Sequence, residues 1–257
     1  MKLEATTNNS KDLKCLFGFL KTQLDTIEFE CTPKGILMKA VDSCYNVSIL
    51  SELNAEKFSK FVCDESFEIS ADLKVLDKVL RNVLKTDVLT IFVEDEKDIS
   101  EIGIKIVRKG KESTYRISAV DNLSDKFLPS DLTATYPLSI DIQSDEFASG
   151  IKDIASIGCS VVQMSYQDGT LAMTGKGSMA KTKVDCKDVT IIKDETNGEI
   201  QKVNLNIDKL SEFSKCCSMS KRMIIEMKDG DPLFVKFIVG GLGYVQLCLA
   251  PMIAEFD

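Results

Sequence analysis

The sequence predicts an α+β protein built from two similar halves, each with two helices and antiparallel strands. Three observations support this prediction. A unit that starts with a helix and continues into strands recurs four times, a polar stretch separates the first two copies from the last two, and the composition suits two hydrophobic cores. The chain has 257 residues, of which 44% are hydrophobic and 28% are charged. At this length two domains of about 125 residues are favoured over one.

The recurring unit begins with an amphipathic helix. Such helices are predicted over 10–22, 72–85, 145–156 and 208–217. The strands that follow them are predicted over 26–31 and 36–41, 88–94, 160–166 and 170–175, and 223–228 and 233–239. Short turns rich in glycine, proline or aspartate, such as Gln167-Asp168-Gly169, join the paired strands. Turns of this kind between β-branched runs are typical of β-hairpins.

The boundary between the halves is predicted in the stretch DNLSDKFLPSDLTAT, which is polar, contains Pro129 and has no hydrophobic period. Linkers have this composition. Leu123, Phe127 and Leu128 interrupt it, so part of the linker is expected to lie against a surface or to receive a partner. The predicted organisation is a domain over 1–120, a connector over 121–135 and a domain over 136–257.

Two of the predicted helices carry rows of basic residues in a chain whose formal net charge is −8. The row on helix 72–85 consists of Lys74, Lys78, Arg81 and Lys85, and the row on helix 10–22 consists of Lys11, Lys14 and Lys21. At about 100° per residue, the first row falls within an arc of roughly 60°. Such faces on an acidic protein favour contact with one polyanion, although an ordinary solvated helix face has the same appearance.

Two further segments have the pattern of edge strands. Residues 114–119 and 179–186 alternate small or apolar side chains with polar and charged ones, which is typical of a strand that is solvated on one side. One such strand in each half would let copies of the chain close a head-to-tail ring by pairing their edges. The same pattern also fits ordinary strands inside each sheet.

The residue types that carry most catalysis are missing or badly spaced. The chain has no histidine, and its nine cysteines include no CxxC pair. The usual general base and the usual metal-ligand spacings are therefore lacking, and no phosphate-binding glycine loop is present. We expect no enzyme activity, no metal and no cofactor, with reduced thiols in a cytosolic or nuclear protein. The uncharged run over 237–254 contains three glycines and is predicted to form two strands rather than a membrane helix.

Four segments carry a family resemblance that extends over essentially the whole chain. They are Val41-Asp42-Ser43, Asp145-Glu146-Phe147-Ala148, Ile157-Gly158 and Leu247-Cys248-Leu249-Ala250-Pro251. In order and spacing the chain resembles the eukaryotic sliding-clamp family, proliferating cell nuclear antigen, as a divergent cellular or viral member. The resemblance implies a ring-shaped homotrimer of two similar clamp domains per chain, with helices lining a central hole and antiparallel sheets outside. It implies a DNA polymerase processivity factor that encircles duplex DNA and tethers replication and repair enzymes.

The resemblance also assigns residues. It implies DNA-facing positions at Lys11, Lys14, Lys21, Lys74, Lys78, Arg81, Lys85, Lys152 and Lys215. It implies a partner-peptide site at Val41, Tyr45, Val47, Phe127, Leu128, Tyr136, Pro232, Cys248, Ala250 and Pro251, although Val47 and Ala250 fit plain core packing equally well. With the edge-strand pattern, it implies a subunit interface at Tyr115, Ile117, Ala180 and Thr182. The implied partners are duplex DNA, polymerases and other proteins with clamp-binding peptides, a clamp-loader ATPase and further copies of the chain, in the nucleus or at a viral replication site.

The chain departs from the family pattern at several positions. The third helix offers Ser149 and Lys152 where the family has two basic residues, and Cys248 stands where the family usually has tyrosine. Gln167 stands where the family carries a modifiable lysine, so modification there is not expected. Two alternatives stay open: a subunit of the heterotrimeric checkpoint clamp, and a monomeric or dimeric viral processivity factor of the same fold.

Overall fold

The computed structural model describes residues 1–94, 99–121 and 135–253. These residues form two compact units. Among them, unit 1 comprises residues 1–44, 48–94, 99–121 and 238–245, and unit 2 comprises residues 45–47, 135–237 and 246–253. The predicted connector residues Leu123, Phe127 and Leu128 lie outside the described residues.

Up to residue 121 the chain forms nine strands and two α-helices in the part that the structure describes. They are β1 (Leu3–Thr7), α1 (Ser10–Gln23), β2 (Thr26–Thr32), β3 (Gly35–Val41), β4 (Val47–Asn54), β5 (Lys60–Val62), β6 (Phe67–Asp72), α2 (Leu73–Leu80), β7 (Val88–Val93), β8 (Glu101–Arg108) and β9 (Lys111–Ser118). The antiparallel sheet β5-β1-β7-β8-β9 and the run β4-β3-β2-β6 build unit 1.

From residue 135 onward the same plan recurs. The elements are β10 (Leu138–Gln143), α3 (Ser144–Ala155), β11 (Val161–Gln167), β12 (Thr170–Lys176), β13 (Lys181–Cys186), β14 (Val189–Asp194), β15 (Gln201–Asn206), α4 (Ile207–Phe213), β16 (Arg222–Met227), β17 (Leu233–Val239) and β18 (Gly243–Leu249). Unit 2 contains the antiparallel sheet β13-β12-β11-β15 and the run β14-β10-β16-β17. The prediction of two similar α+β halves is confirmed.

Two-residue turns set the register of two hairpins. Asp168 and Gly169 both have positive φ, 47° and 79°, and Gln167 pairs with Thr170 across that turn. Lys109 and Gly110 have φ of 44° and 81° and join β8 to β9 in the same way. Positive φ at both central residues is the conformation whose twist matches that of paired strands. The predicted hairpin at 167–169 is confirmed.

Each helix buries one apolar face on its own unit. The buried side chains include Leu13, Leu16, Phe17 and Leu20 on α1, Leu73, Leu76 and Leu80 on α2, Phe147, Ile151 and Ile154 on α3, and Leu210 and Phe213 on α4. Helix α1 packs beside α2, and α3 packs beside α4. The spacing of these residues at three and four positions turns each helix's polar face away from the sheets.

The predicted helix over 72–85 is too long, because α2 ends at Leu80. The buried carboxylate of Asp87 accepts a hydrogen bond of 2.8 Å from the Leu84 N–H, which a continuing helix would direct to an earlier carbonyl. The guanidinium of Arg108 pairs with Asp87 at 2.6 Å and also donates to the Asn82 carbonyl. This network folds the chain away from the helix axis and leaves Lys85 outside the helix.

The predicted helix over 208–217 is also not one regular helix. The α-helix ends at Phe213, and Ser214–Ser218 forms a tighter 3-10 helix. The hydroxyls of Ser211 and Ser214 donate to the carbonyls of Ile207 and Ser211, at 2.8 and 2.6 Å. Serine side chains that bond to local carbonyls compete with the regular helical pattern. In the part of the chain that the structure describes, each helix is too short or too polar to cross a membrane.

Candidate nucleic-acid interface

The side-by-side helices α1 and α2 bring the two predicted basic rows together on unit 1. Asp72 begins α2 as its N-cap, accepting hydrogen bonds from the N–H groups of Lys74 and Val75. Such a cap satisfies helix donors that would otherwise lack partners. Most cations of the two rows are exposed, namely Lys11, Lys74, Lys78, Arg81 and Lys85, whereas Lys14 and Lys21 are half-buried.

Lys14 is engaged by the backbone at the end of α2. Its ammonium group donates to the carbonyl of Arg81 and, at 3.2 Å, to the carbonyl of Val83. The last carbonyls of a helix carry partial negative charge, so a cation there is stabilising. Lys14 therefore connects α1 to the C-terminus of α2.

Asp77 of α2 holds two further cations. Its carboxylate lies 2.6 Å from the ammonium of Lys21 on α1 and 3.5 Å from the guanidinium of Arg81. The Asp77 side chain is only 19% exposed. Burial acts to raise the pKa of Asp77, but the hydrogen bonds and charges of Lys21 and Arg81 outweigh it and hold that pKa below its usual value.

Lys74 is paired as well, since its ammonium lies 2.6 Å from the carboxylate of Asp25, just after α1. The three remaining cations, Lys11, Lys78 and Lys85, form no ion pair with any residue that the structure describes. Lys11 and Lys85 lie near Asp12. Burial raises the pKa of Asp12 above its usual value, although the charges of Lys11 and Lys85 act to lower it. The seven cations of the two rows thus fall into two groups. The engaged cations have a partner within unit 1, and they are Lys14, Lys21, Lys74 and Arg81. The open cations form no ion pair with a described residue, and they are Lys11, Lys78 and Lys85.

Unit 2 is less basic on its helices. Lys152 is exposed near the end of α3, and Lys215 is exposed in the 3-10 helix after α4. The first turn of α3 carries Asp145 and Glu146, and that of α4 carries Asp208. Carboxylates at a helix N-terminus suit the helix dipole but reduce attraction for a polyanion.

The two predicted edge strands do lie at sheet edges. β9 ends the five-stranded sheet of unit 1, and β13 ends the four-stranded sheet of unit 2. Tyr115 on β9 is 42% exposed, whereas the Ile117 side chain is 5% exposed and packs inside its own unit. Ala180, just before β13, is exposed and Thr182 is half-buried. Of the four predicted interface residues, Ile117 can therefore offer its backbone but not its side chain.

Several predicted peptide-site residues gather in unit 2. Tyr136, Phe234 and Cys248 form one buried cluster, in which the rings of Tyr136 and Phe234 meet edge-on with centroids 4.9 Å apart. The carbonyl of Tyr136 accepts a 2.9 Å hydrogen bond from the ammonium of Lys193. Edge-to-face rings are a favourable aromatic arrangement, and this one packs Tyr136 against β17.

The other predicted peptide-site residues vary in exposure. Tyr45 is 60% exposed and has φ of 57°. Pro251 is exposed and Pro232 and Ala250 are half-buried, while Val47 and, in unit 1, Val41 are buried. The N–H of Ala250 donates to the carbonyl of Asn46 at 2.9 Å. Phe127 and Leu128 lie outside the described residues. Val47 is thus a core residue.

An open depression beside this cluster includes residues that sequence reasoning missed. Its lining comprises Thr135, Tyr136, Pro137, Glu195, Lys228, Asp231 and Pro232. The ion pair between Lys228 and Asp231, 2.7 Å long, forms part of its wall. Tyr136 and Pro232 were predicted, and the sequence predicts a turn between the strands over 223–228 and 233–239, but a hairpin pattern does not show which other residues lie around its turn. Phe234 was missed because a strand residue gives no sign of its aromatic neighbour.

The thiols and carboxylates of the described residues form no group of three or more that could hold a metal ion. None of the nine cysteines, all of which the structure describes, forms a disulfide. Burial raises the pKa of Cys186 to about 11 and that of Cys217 to about 12. Thiols with such pKa values stay protonated at neutral pH and are poor nucleophiles.

Comparison with known proteins places these features in a family. The family model of the proliferating cell nuclear antigen N-terminal domain matches residues 2–126, and that of the C-terminal domain matches residues 133–252. The proliferating cell nuclear antigen of Chaetomium thermophilum is 26% identical over 259 residues, covering 98% of this chain and 99% of that protein. The one from Dictyostelium discoideum is 25% identical over 260 residues, with 97% and 99% covered. The chain therefore belongs to the proliferating cell nuclear antigen family of DNA sliding clamps, which are processivity factors of DNA polymerases and not enzymes.

Proposed function

We propose that this chain forms a homotrimeric ring that encircles duplex DNA and holds a polymerase on its template. The observation that carries the proposal is the pair of sheet edges, β9 in unit 1 and β13 in unit 2. An edge strand presents unpaired N–H and C=O groups, and two different edges on one chain join head to tail. A head-to-tail contact closes into a ring when its rotation permits.

The three open cations of unit 1 suit contact with the phosphate backbone. Lys11, Lys78 and Lys85 are exposed and lie on or beside α1 and α2. Lysine is a flexible point charge that meets phosphates without reading bases. With a net charge of −8 over the whole chain, retention on DNA rests on encirclement more than on affinity, and weak contacts leave the ring free to slide.

The surface around Tyr136, Pro232 and Pro251 is the proposed binding site for short peptides of polymerases and other partners. Its aromatic base and adjoining depression suit peptides with aliphatic and aromatic anchors. Leu128 of the connector is proposed to complete it. We further propose domain limits of 1–120 and 136–257 around a connector, loading by a clamp-loader ATPase, and action in the nucleus.

Two measurements test this function. Light scattering on the purified chain should give three times the 28.5 kDa mass of one chain at tens of micromolar, which is roughly the range where oligomers of this kind are assayed. Primer extension on a circular template with a loader should then lengthen products only when the chain is present. A monomeric mass with direct, loader-independent stimulation would favour a monomeric processivity factor, and assembly only with other chains would favour a heterotrimeric clamp.

A further inference from the structure

An acidic residue stands in the middle of the basic face of unit 1. Asp77 directly precedes Lys78 in α2 and lies four residues before Arg81, on the side that faces Lys21 of α1. One carboxylate therefore contacts a cation from each of the two predicted basic rows. A face that served only to attract a polyanion would have no use for this charge.

The cations that contact Asp77 are not readily exchanged for a phosphate. The Asp77 carboxylate is 19% exposed, and its contact with Lys21 is 2.6 Å long. If Lys21 and Arg81 turned to DNA, they would leave a mostly buried carboxylate without its partners, and burying an unpaired charge is costly. The same carboxylate would also repel a nearby phosphate.

We propose that Asp77 limits the affinity of this clamp for DNA by keeping Lys21 and Arg81 paired within the protein. The inference rests on the proposed function, because it concerns the same helical face. It assigns two different roles to five of the predicted DNA-facing residues of unit 1. Lys11, Lys78 and Lys85 contact phosphates, whereas Lys21 joins α1 to α2 through Asp77 and Arg81 stays paired with Asp77 at the end of α2.

The consequence is measurable as a salt dependence. Each phosphate that a cation neutralises adds about 0.9 to the slope of log affinity against log salt concentration. Asp77→Asn removes the charge and keeps the shape of the side chain, so that Lys21 and Arg81 become available. The slope should steepen by up to about 1.8, and affinity at low salt should rise.

The experiment follows binding to a fluorescent linear duplex, whose open ends admit a closed ring, by anisotropy at several salt concentrations. Asp64→Asn is the matched control, because it removes one exposed acidic charge of unit 1 from the turn after β5. A steeper slope for Asp77→Asn than for Asp64→Asn supports the proposal. Equal slopes for the two variants overturn it. Adding Lys21→Met and Arg81→Met to Asp77→Asn should return the slope to the wild-type value.

A second set of variants keeps the test independent of how well Asp77→Asn folds. With Asp77 intact, Lys78→Met should lower the slope by about 0.9, and Arg81→Met should lower it by much less. Equal losses would overturn the proposal. If neither variant changes the slope, then the proposed DNA contact of this face fails. If Lys78→Met acts and Asp77→Asn does not, only the role of Asp77 fails.

Discussion

The ammonium group of Lys14 on α1 donates a hydrogen bond to the backbone carbonyl of Arg81, the residue directly after the last residue of α2. A side chain that the sequence assigns to a DNA-facing row thus has a second partner inside the protein. Its charge is directed at the negative end of a helix dipole. Through this contact Lys14 has a structural role, which its position in the basic row does not indicate.

Replacing Lys14 should reduce stability more than DNA binding. Lys14→Met removes the charge at the end of α2 and keeps most of the aliphatic chain, so the free energy of unfolding should fall by about 0.3–1 kcal/mol. Chemical denaturation measures this change. Lys11→Met is the control, and as an exposed substitution it should stay within about 0.5 kcal/mol of the wild type. The interpretation is wrong if Lys11→Met costs as much as Lys14→Met.

The open cations should account for most of the salt dependence of DNA binding. Replacing Lys11, Lys78 and Lys85 together with Met should flatten the log–log slope by up to about 2.7, taking about 0.9 per phosphate. The loss should be similar for any duplex sequence, because the contacts are to the backbone. A control triple at exposed lysines outside α1 and α2, Lys34, Lys57 and Lys109, should leave the slope unchanged. If both triples lose equally, the effect is one of net charge alone.

The exposed ring on the edge strand β9 should matter for assembly. Tyr115→Ala removes a side chain that is 42% exposed and should weaken subunit association by about 2 kcal/mol or more if it is a hot spot, which is about 30-fold in the dissociation constant. Light scattering across a dilution series measures the change. Tyr45→Ala removes a ring that is more exposed and that belongs to neither edge strand, and should leave the mass unchanged. A normal trimer for Tyr115→Ala at every dilution would argue against this edge.

Partner peptides should depend on the connector and the C-terminal segment together. Leu128→Ala combined with Pro251→Ala should abolish binding of a peptide that carries a glutamine, an aliphatic residue and two aromatic residues, because both substitutions remove apolar contact area. Calorimetry measures the affinity, and light scattering should show an unchanged oligomer. Pro33→Ala, in the exposed turn between β2 and β3, is the control. Unchanged affinity in the double variant would move the peptide site elsewhere.

The buried carboxylate of Asp87 should make stability depend on pH in a defined direction. The guanidinium of Arg108 holds the pKa of Asp87 below its usual value, so the folded state favours the ionised form. Its contribution is present above the unfolded pKa of about 3.9 and is lost as pH falls through the lowered pKa. Asp87→Asn should therefore melt below the wild type at neutral pH.

The difference in melting temperature between wild type and Asp87→Asn should narrow below about pH 4, where the wild-type carboxyl becomes protonated. Asp64→Asn serves as the exposed control and should show a small difference at every pH. If the difference in melting temperature between wild type and Asp87→Asn does not change with pH, then Asp87 contributes to stability through its shape rather than its charge.

The elements that the sequence predicted well depend on neighbours in the chain. The hairpin around Asp168 and Gly169 is one, because only such residues adopt positive φ readily at both turn positions. The strand over 233–239 is another, and the structure gives it the same limits. The apolar face of α1 could also be predicted, since residues three and four positions apart share a side of a helix.

The features that sequence reasoning missed depend on distant partners. The end of α2 is set by Asp87 and by Arg108, which lies 21 residues farther along. The engagement of Lys21 depends on Asp77, 56 residues away and on another helix. A row of cations on a helical projection gives no sign of which members have partners inside the fold. The basic face could therefore be predicted from the sequence, but its division into open and engaged cations could not.

The turn at Lys109-Gly110 has a consequence for how this chain can vary. With only two residues between β8 and β9, the turn fixes which residues of the two strands stand opposite, so that Tyr115 pairs with Ile104 and Ile117 with Ile102. Side chains alternate sides along a strand, and a slip of one residue exchanges the two sides. A single insertion or deletion here would bring Arg116 to the side that Ile117 now fills. Length changes in this short turn should therefore be rarer in descendants of the chain than substitutions at its exposed Lys109.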